Sequence, residues 1–221
     1  VTGLQSLIQA YGIGPLHANT LLLNWHGESR AKILGLQEMS NGQLLQRGLR
    51  YGCNVVVLDI KDDKWAAIEA IPKEERRIDV WWQDDDTGRF MLLLAYLMTR
   101  SDPWRDAAIR LLAFEKEELR AERHTSLESM LEEIRIEAEV VTVSEMSDDT
   151  IVEYSEDAAL VFLPFRIRQN QMVDLWGHSL ESLLFLMPVT AMVMAAEDID
   201  LDAAPEEGQA AETAAVIDRL T

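Results

Sequence analysis

The chain has 221 residues, 48% of them hydrophobic, enough to build one large or two small domains with buried cores. Its 39 acidic residues against 20 basic ones give a net charge of −19. That sign repels phosphate backbones and anionic bilayers, so neither nucleic-acid binding nor direct lipid binding is expected. The single cysteine, Cys53, excludes an internal disulfide or a cysteine-rich metal site, fits a reducing compartment, and reads as a small buried core thiol.

In chain order, Leu4, Leu7, Ile8 and Tyr11 fall at i, i+3, i+4 and i+7, the spacing of one apolar helix face, and Gly12 with Gly14-Pro15 stops the helix. Thr20–Trp25 reads as a short buried strand. A second helix runs from about Ala31 or Leu36 to Arg50 and ends at Gly52, and Cys53–Ile60 is a further buried strand. This series opens on a helix with no strand before it, so the first unit is expected to lack the first part of its own sheet. Residues 61–77 are charged and contain Pro72, which suits a linker.

A second series follows, with strands at about 78–83, 107–114, 138–144, 158–164 and 189–195 and helices at about 88–100, 117–136 and 171–186. In the helix at 117–136, Leu127, Met130, Leu131 and Ile134 share one face and Glu128, Glu132 and Glu133 lie outside it. Met172, Trp176, Leu180, Leu183, Leu184 and Met187 keep helical spacing across 171–186. Residues 148–157 read as a loop or short helix. Strands that are nearly all apolar and alternate with helices imply an α/β fold with a mostly parallel sheet covered on both faces. The expected division is 1–60 as the later part of a first α/β unit, 61–77 as linker, 78–196 as a second unit and 197–221 as an acidic Ala/Glu-rich tail. Residues 1–10 lack the basic-then-apolar pattern of a signal peptide. Leu183–Ala196 is shorter than the roughly 18 residues of a membrane span and is divided by Pro188, so a soluble chain is expected.

Chemistry-bearing patterns resolve mostly into structural ones. Asp84, Asp85 and Asp86 end a strand where α/β sheets place ligand loops, and three carboxylates suit Mg²⁺. Capping of the following helix accounts for the same residues. A phosphate cradle needs glycines after a late strand, whereas Pro164–Met172 has none and Arg166 and Arg168 suit a solvated loop. Gly177-His-Ser-Leu-Glu181 imitates a nucleophile elbow, but Ser179 is placed inside an amphipathic helix and Glu181 fills a position that must be small. His17, His26, His124 and His178 have no ligand spacing. Trp81 and Trp82, adjacent in a strand, must point to opposite sheet faces as two packing anchors. No catalytic residue, cofactor or metal is assigned, and the chain is not read as an enzyme.

Two segments carry a family resemblance. Gly12-Ile-Gly-Pro-Leu-His-Ala-Asn-Thr-Leu-Leu-Leu-Asn-Trp25 is similar to the Gly-Leu-Gly…Pro-Asn-Thr strand entry of the cation-chloride cotransporters, with Ala18 where the family usually has Pro. Ile78–Leu97 resembles their Asp-Val-Trp-Trp…Asp-Asp-Gly-Gly-Leu run, with Asp86-Thr87-Gly88 replacing the tighter acidic-Gly-Gly pattern. The order of later elements to about residue 195 is similar too. Gly14, Asn19, Thr20, Trp81, Trp82, Asp84, Asp85 and Gly88 are the signature positions.

This resemblance, to a branch of the amino acid-polyamine-organocation superfamily, implies a cytoplasmic C-terminal domain made of two universal-stress-like subdomains, the first incomplete here. It implies a secondary transporter that moves Cl⁻ with Na⁺, K⁺ or both through ion sites in a membrane bundle outside this chain. The implied partners are the transmembrane domain of the same transporter and a second copy in a homodimer, and the implied role is regulation and dimerisation. The alternative is a free-standing universal-stress-like ligand-binding protein.

Overall fold

The computed structural model describes residues 12–13, 16–17, 19–25, 41–60, 62–145, 147–169, 171–175 and 177–196. The expected helix at 1–11, Gly14, the start of the second helix and the acidic tail lie outside the described residues.

A small hairpin pairs β1 (Gly12–Ile13) with β2 (Leu16–His17). Seven strands then form one continuous sheet: β3 (Thr20–Asn24), β4 (Asn54–Asp59), β5 (Arg77–Trp82), β6 (Ala108–Phe114), β7 (Glu139–Val143), β8 (Leu160–Pro164) and β11 (Thr190–Met194). Their spatial order is β3-β4-β11-β8-β5-β6-β7. Every neighbouring pair is parallel except β4 with β11, which run antiparallel with Val57 opposite Met192. The fold is thus the mostly parallel α/β architecture implied by the apolar strands, of which β4, β5, β8 and β11 are buried on both faces, while β3, expected as a buried strand, is largely half-exposed.

The two faces have separate cores. On the first, α3 (Asp86–Thr99) and α4 (Arg120–Ile134) lay Phe90, Met91, Leu92, Leu127 and Leu131 against Val80, Trp82, Leu111 and Phe162. On the second, α1 (Asn41–Arg50), α5 (Asp148–Ser155) and α6 (Leu180–Leu186) lay Leu45, Ile151, Leu180 and Leu183 against Val55, Trp81, Leu112 and Val161. Cys53 is buried at the entry to β4.

Within the segment expected as a linker lie α2 (Asp62–Ala70) and a 3₁₀ turn at Lys73–Glu75, and β4 before it pairs with β11. One helix reading changes. The expected helix at 171–186 is instead a hairpin of β9 (Arg166–Arg168) and β10 (Gln171–Val173), a turn, and the short α6. Gly177 sits at φ +97°, where a helix cannot continue. The Asp174 carboxylate accepts from the backbone N–H groups of Gly177 and His178, which closes the turn. Ser179 is accordingly the N-cap of α6, accepting from the Glu181 N–H, and not a residue of a helix interior. Residues 148–155 are helical, capped by Ser147, whose hydroxyl accepts from the Thr150 N–H.

Candidate functional site

The joint between β5 and α3 is built around Gly88. A Cβ added there would stand 1.9 Å from the Gln83 carbonyl oxygen and 2.9 Å from its carbonyl carbon, so the first turn of α3 lies directly on the backbone that leaves β5. Only a residue without a side chain permits that approach. Asp85 caps the helix, its carboxylate accepting from the Gly88 N–H at 3.0 Å. Asp84 pairs with Arg123 of α4 at 3.3 Å, and Asp86 pairs with Arg89 at 3.3 Å. The three carboxylates therefore serve three different partners. Among the described residues no group of three or more His, Cys, Asp or Glu is arranged to hold a metal ion.

Upstream of the loop, Trp81 and Trp82 occupy opposite faces. Trp81 is fully buried in the second core and donates its indole N–H to the Ser155 hydroxyl of α5 at 3.1 Å. Trp82 packs in the first core with Phe90 and Met91 of α3. The Thr87 hydroxyl accepts from the Ala195 N–H, tying the start of α3 to the end of β11. Of the other signature positions, Asn19 accepts at its backbone carbonyl from the Asn54 N–H at 2.7 Å, and at its side chain from the Thr20 hydroxyl. Thr20 begins the edge strand β3. Trp104 is buried beneath Arg76, whose guanidinium carbon lies 5.6 Å from the indole centroid.

Two buried charges escaped sequence reasoning. Asp79, fully buried in β5, accepts from Arg110 through both oxygens, at 3.1 and 2.7 Å, and from Arg77 at 3.0 Å. Both arginines also donate to the Tyr154 carbonyl, so this group ties two strands to the C-terminal end of α5, where the helix dipole favours cations. Asp59, at the end of β4, is paired with Lys64 of α2, which further donates to the Leu184 and Pro188 carbonyls. The available signal was an acid inside an otherwise apolar strand, in Ile78-Asp-Val and Leu58-Asp-Ile.

A third group, Asp148, Asp174 and His178, lies where α5 meets the turn before α6. His178 approaches Asp174 at 3.3 Å. Burial pushes the Asp148 carboxyl above its ordinary value, Asp174 adds to the rise, His178 opposes it, and Asp149 raises it further. Of the remaining histidines, His124 lies 3.3 Å from Glu128 on α4, His17 is in β2, and His26 falls outside the described residues.

The β5–α3 joint lies inside the segment, residues 68–175, that matches the family model Solute carrier family 12. A potassium/chloride cotransporter 3 from Caenorhabditis elegans is 28% identical over 165 residues, covering 69% of this chain and 14% of that protein. The crystal structure of the cytoplasmic domain of a prokaryotic cation chloride cotransporter superposes with a TM-score of 0.56 at 15% identity, over 89% of this chain and 70% of that one. Over the matched segment the chain is similar to cation-chloride cotransporters. The chain spans about a seventh of the curated relative's length, and its fold is similar to that of the prokaryotic cytoplasmic domain. No helix among the described residues is long and apolar enough to cross a membrane.

Proposed function

We propose that this chain is the cytoplasmic regulatory and dimerising part of a cotransporter that moves Cl⁻ together with K⁺ or Na⁺. The observation that carries the reading is the β5–α3 joint, with its paired tryptophans, capping aspartate and obligatory glycine, lying within the segment matched to solute carrier family 12. The potassium/chloride relative favours K⁺ over Na⁺ as the cation. In this role Trp81, Trp82, Asp84, Asp85 and Gly88 make the joint rigid, and Asn19 and Thr20 set the register of the edge strand. The chain works in two units that meet at β4 and β11.

A domain outside the ion pathway changes transport only by contacting the membrane part differently in its two access states. The coupling is therefore a free-energy difference between sites, and it alters rate or subunit association without altering which ions bind. The test is chloride-dependent ⁸⁶Rb⁺ or ²²Na⁺ uptake into cells or liposomes carrying the full transporter with and without residues 20–196, alongside cross-linking of the two forms. The expected result is a changed rate or dimer fraction at unchanged ion preference. A changed ion preference, or identical rate and association, overturns the proposal.

A further inference from the structure

The sheet's two edges differ. β3 lies beside an open apolar groove lined by Leu22, Leu58 and Trp65, whereas β7, the other edge among the described residues, carries a side chain of α4 across it. Along a strand, alternate residues turn their backbone groups toward a given neighbour and away from it. The Val143 carbonyl accepts from the Glu115 N–H, on the β6 side, at 3.0 Å. Val141 therefore faces β6 as well, and Val140 and Thr142 hold their N–H and C=O groups outward. Such an edge is a template for another strand.

The Arg120 guanidinium sits on that edge. Its Nη2 donates to the Thr142 carbonyl at 2.7 Å, and its Nη1 donates to the Glu117 carboxylate at 2.8 Å, which holds the fork in place. Nε lies 3.5 Å from the Thr142 hydroxyl. Arg120 opens α4, so the helix that follows β6 supplies the group that occupies β7.

Left open, the edge would fit a copy of itself. In an antiparallel pair, residues that direct both backbone groups at the partner strand exchange two hydrogen bonds. A two-fold axis at Val141 sets Val140 of one copy against Thr142 of the other, and Thr142 against Val140. The five residues of β7, Glu139–Val143, include three valines that suit such a pairing. Charge opposes it only beyond the strand ends, where Glu137 of one copy would face Glu145 of the other.

We propose that Arg120 is an edge guard: by occupying the Thr142 carbonyl it keeps β7 from adding to β7 of a second copy, so that any association of two copies uses another surface. For strands to add, each copy must first break a hydrogen bond whose donor is charged. The guard acts whether or not the chain dimerises elsewhere, so this inference stands apart from the dimerising role proposed above.

The test traps the pairing in the full chain. In the two-fold register Val141 stands opposite itself as a non-hydrogen-bonded pair, whose Cα atoms approach to about 4.5 Å, within reach of a disulfide. Cys53 is buried, so Val141→Cys supplies the reactive thiol. Oxidation is followed on non-reducing gels in about 1 M NaCl, where screening shortens the reach of the flanking carboxylates to about 3 Å. Val141→Cys alone is expected to stay monomeric on the gel. Adding Arg120→Met, which keeps the aliphatic stem and removes every donor, should raise the cross-linked fraction about tenfold, the factor one charged hydrogen bond is worth. Adding Thr142→Pro as well should abolish the gain, because it removes an outward N–H that β6 does not use. Far-UV circular dichroism identifies a variant that fails to fold, and Arg120→Ala then replaces Arg120→Met. The proposal is overturned if the Arg120 variant leaves the cross-linked fraction unchanged, or if Val141→Cys alone cross-links as fully. It is overturned equally if Thr142→Pro does not remove the gain.

Discussion

Gly88 lies so close to the Gln83 carbonyl that a methyl group on it would stand 1.9 Å from that oxygen. The neighbour is backbone rather than a flexible side chain, so the strain cannot be relieved by a rotamer change. Relief requires moving the start of α3 away from β5, where Phe90 and Met91 are buried. Gly88→Ala should lower unfolding stability by about 3 kcal/mol, at the upper end for overpacking. Asp85→Ala, which removes only the cap, should cost about 1 kcal/mol. Urea unfolding midpoints of the two variants check the ranking, and equal midpoints would mean that the helix start yields freely.

Asp79 is the counter-charge for two arginines inside the sheet, so removing it differs from removing an ordinary ion pair. Asp79→Ala leaves the Arg110 and Arg77 guanidinium groups without their acid beside a buried strand, and should cost about 3–5 kcal/mol. Adding Arg110→Met to that variant should recover part of the loss, because the stranded charge is then gone. A double-mutant cycle by chemical denaturation measures the coupling. Additive losses would show that Asp79 and Arg110 act independently.

Asp148 makes stability depend on pH in a direction opposite to that of a salt-bridged carboxylate. Its value is raised above 3.8 in the folded state by burial, Asp174 and Asp149 against the opposing His178. Between 3.8 and that raised value the folded chain holds more protons than the unfolded one, so the Asp148 contribution falls as pH rises through the window, and the deficit is complete above it. Asp148→Asn should therefore be more stable than the parent at pH 7, with the difference vanishing below pH 3.8. Thermal melts across pH 3 to 8 test this. A variant less stable at pH 7 would show that the charge is favoured at the N-terminus of α5 despite its acidic neighbours.

The strands were legible because a buried parallel strand is a short apolar run that needs no distant partner to be recognised, as in Val55–Leu58 and Leu160–Leu163. The opposite orientations of Trp81 and Trp82 follow from adjacency alone. Pairing was not legible in the same way: β4 and β11 are about 135 residues apart, and nothing local to Asn54–Asp59 says that it ends antiparallel to Thr190–Met194. For the same reason the partners of Asp79 stayed hidden, since Arg110 becomes its neighbour only through the β5–β6 register. The helix expected over 171–186 failed for another reason. Met172, Trp176, Leu180 and Leu183 keep helical spacing in sequence, yet the Asp174 turn and the positive φ of Gly177 interrupt the path. Apolar periodicity counts residues, and it cannot register a turn whose ends both face the core.

Position in the sheet also sets a gradient of local opening. β3 is the edge strand, paired only with β4 among the described residues, and Leu22 and the groove beside it leave its apolar contacts thin. β4 lies between β3 and β11, with Val55, Val56 and Val57 buried. Unpaired outward amides on an edge strand exchange through small local openings, whereas those of an interior strand need a larger one. Native-state hydrogen exchange should therefore find Leu21–Asn24 fast and Val55–Leu58 slow, with β4 approaching the protection of β5 and β8 although it precedes residues 61–77. If residues 54–59 instead exchange as fast as β3 while β5 stays protected, the sheet opens between β4 and β11, and the antiparallel seam is its weakest line.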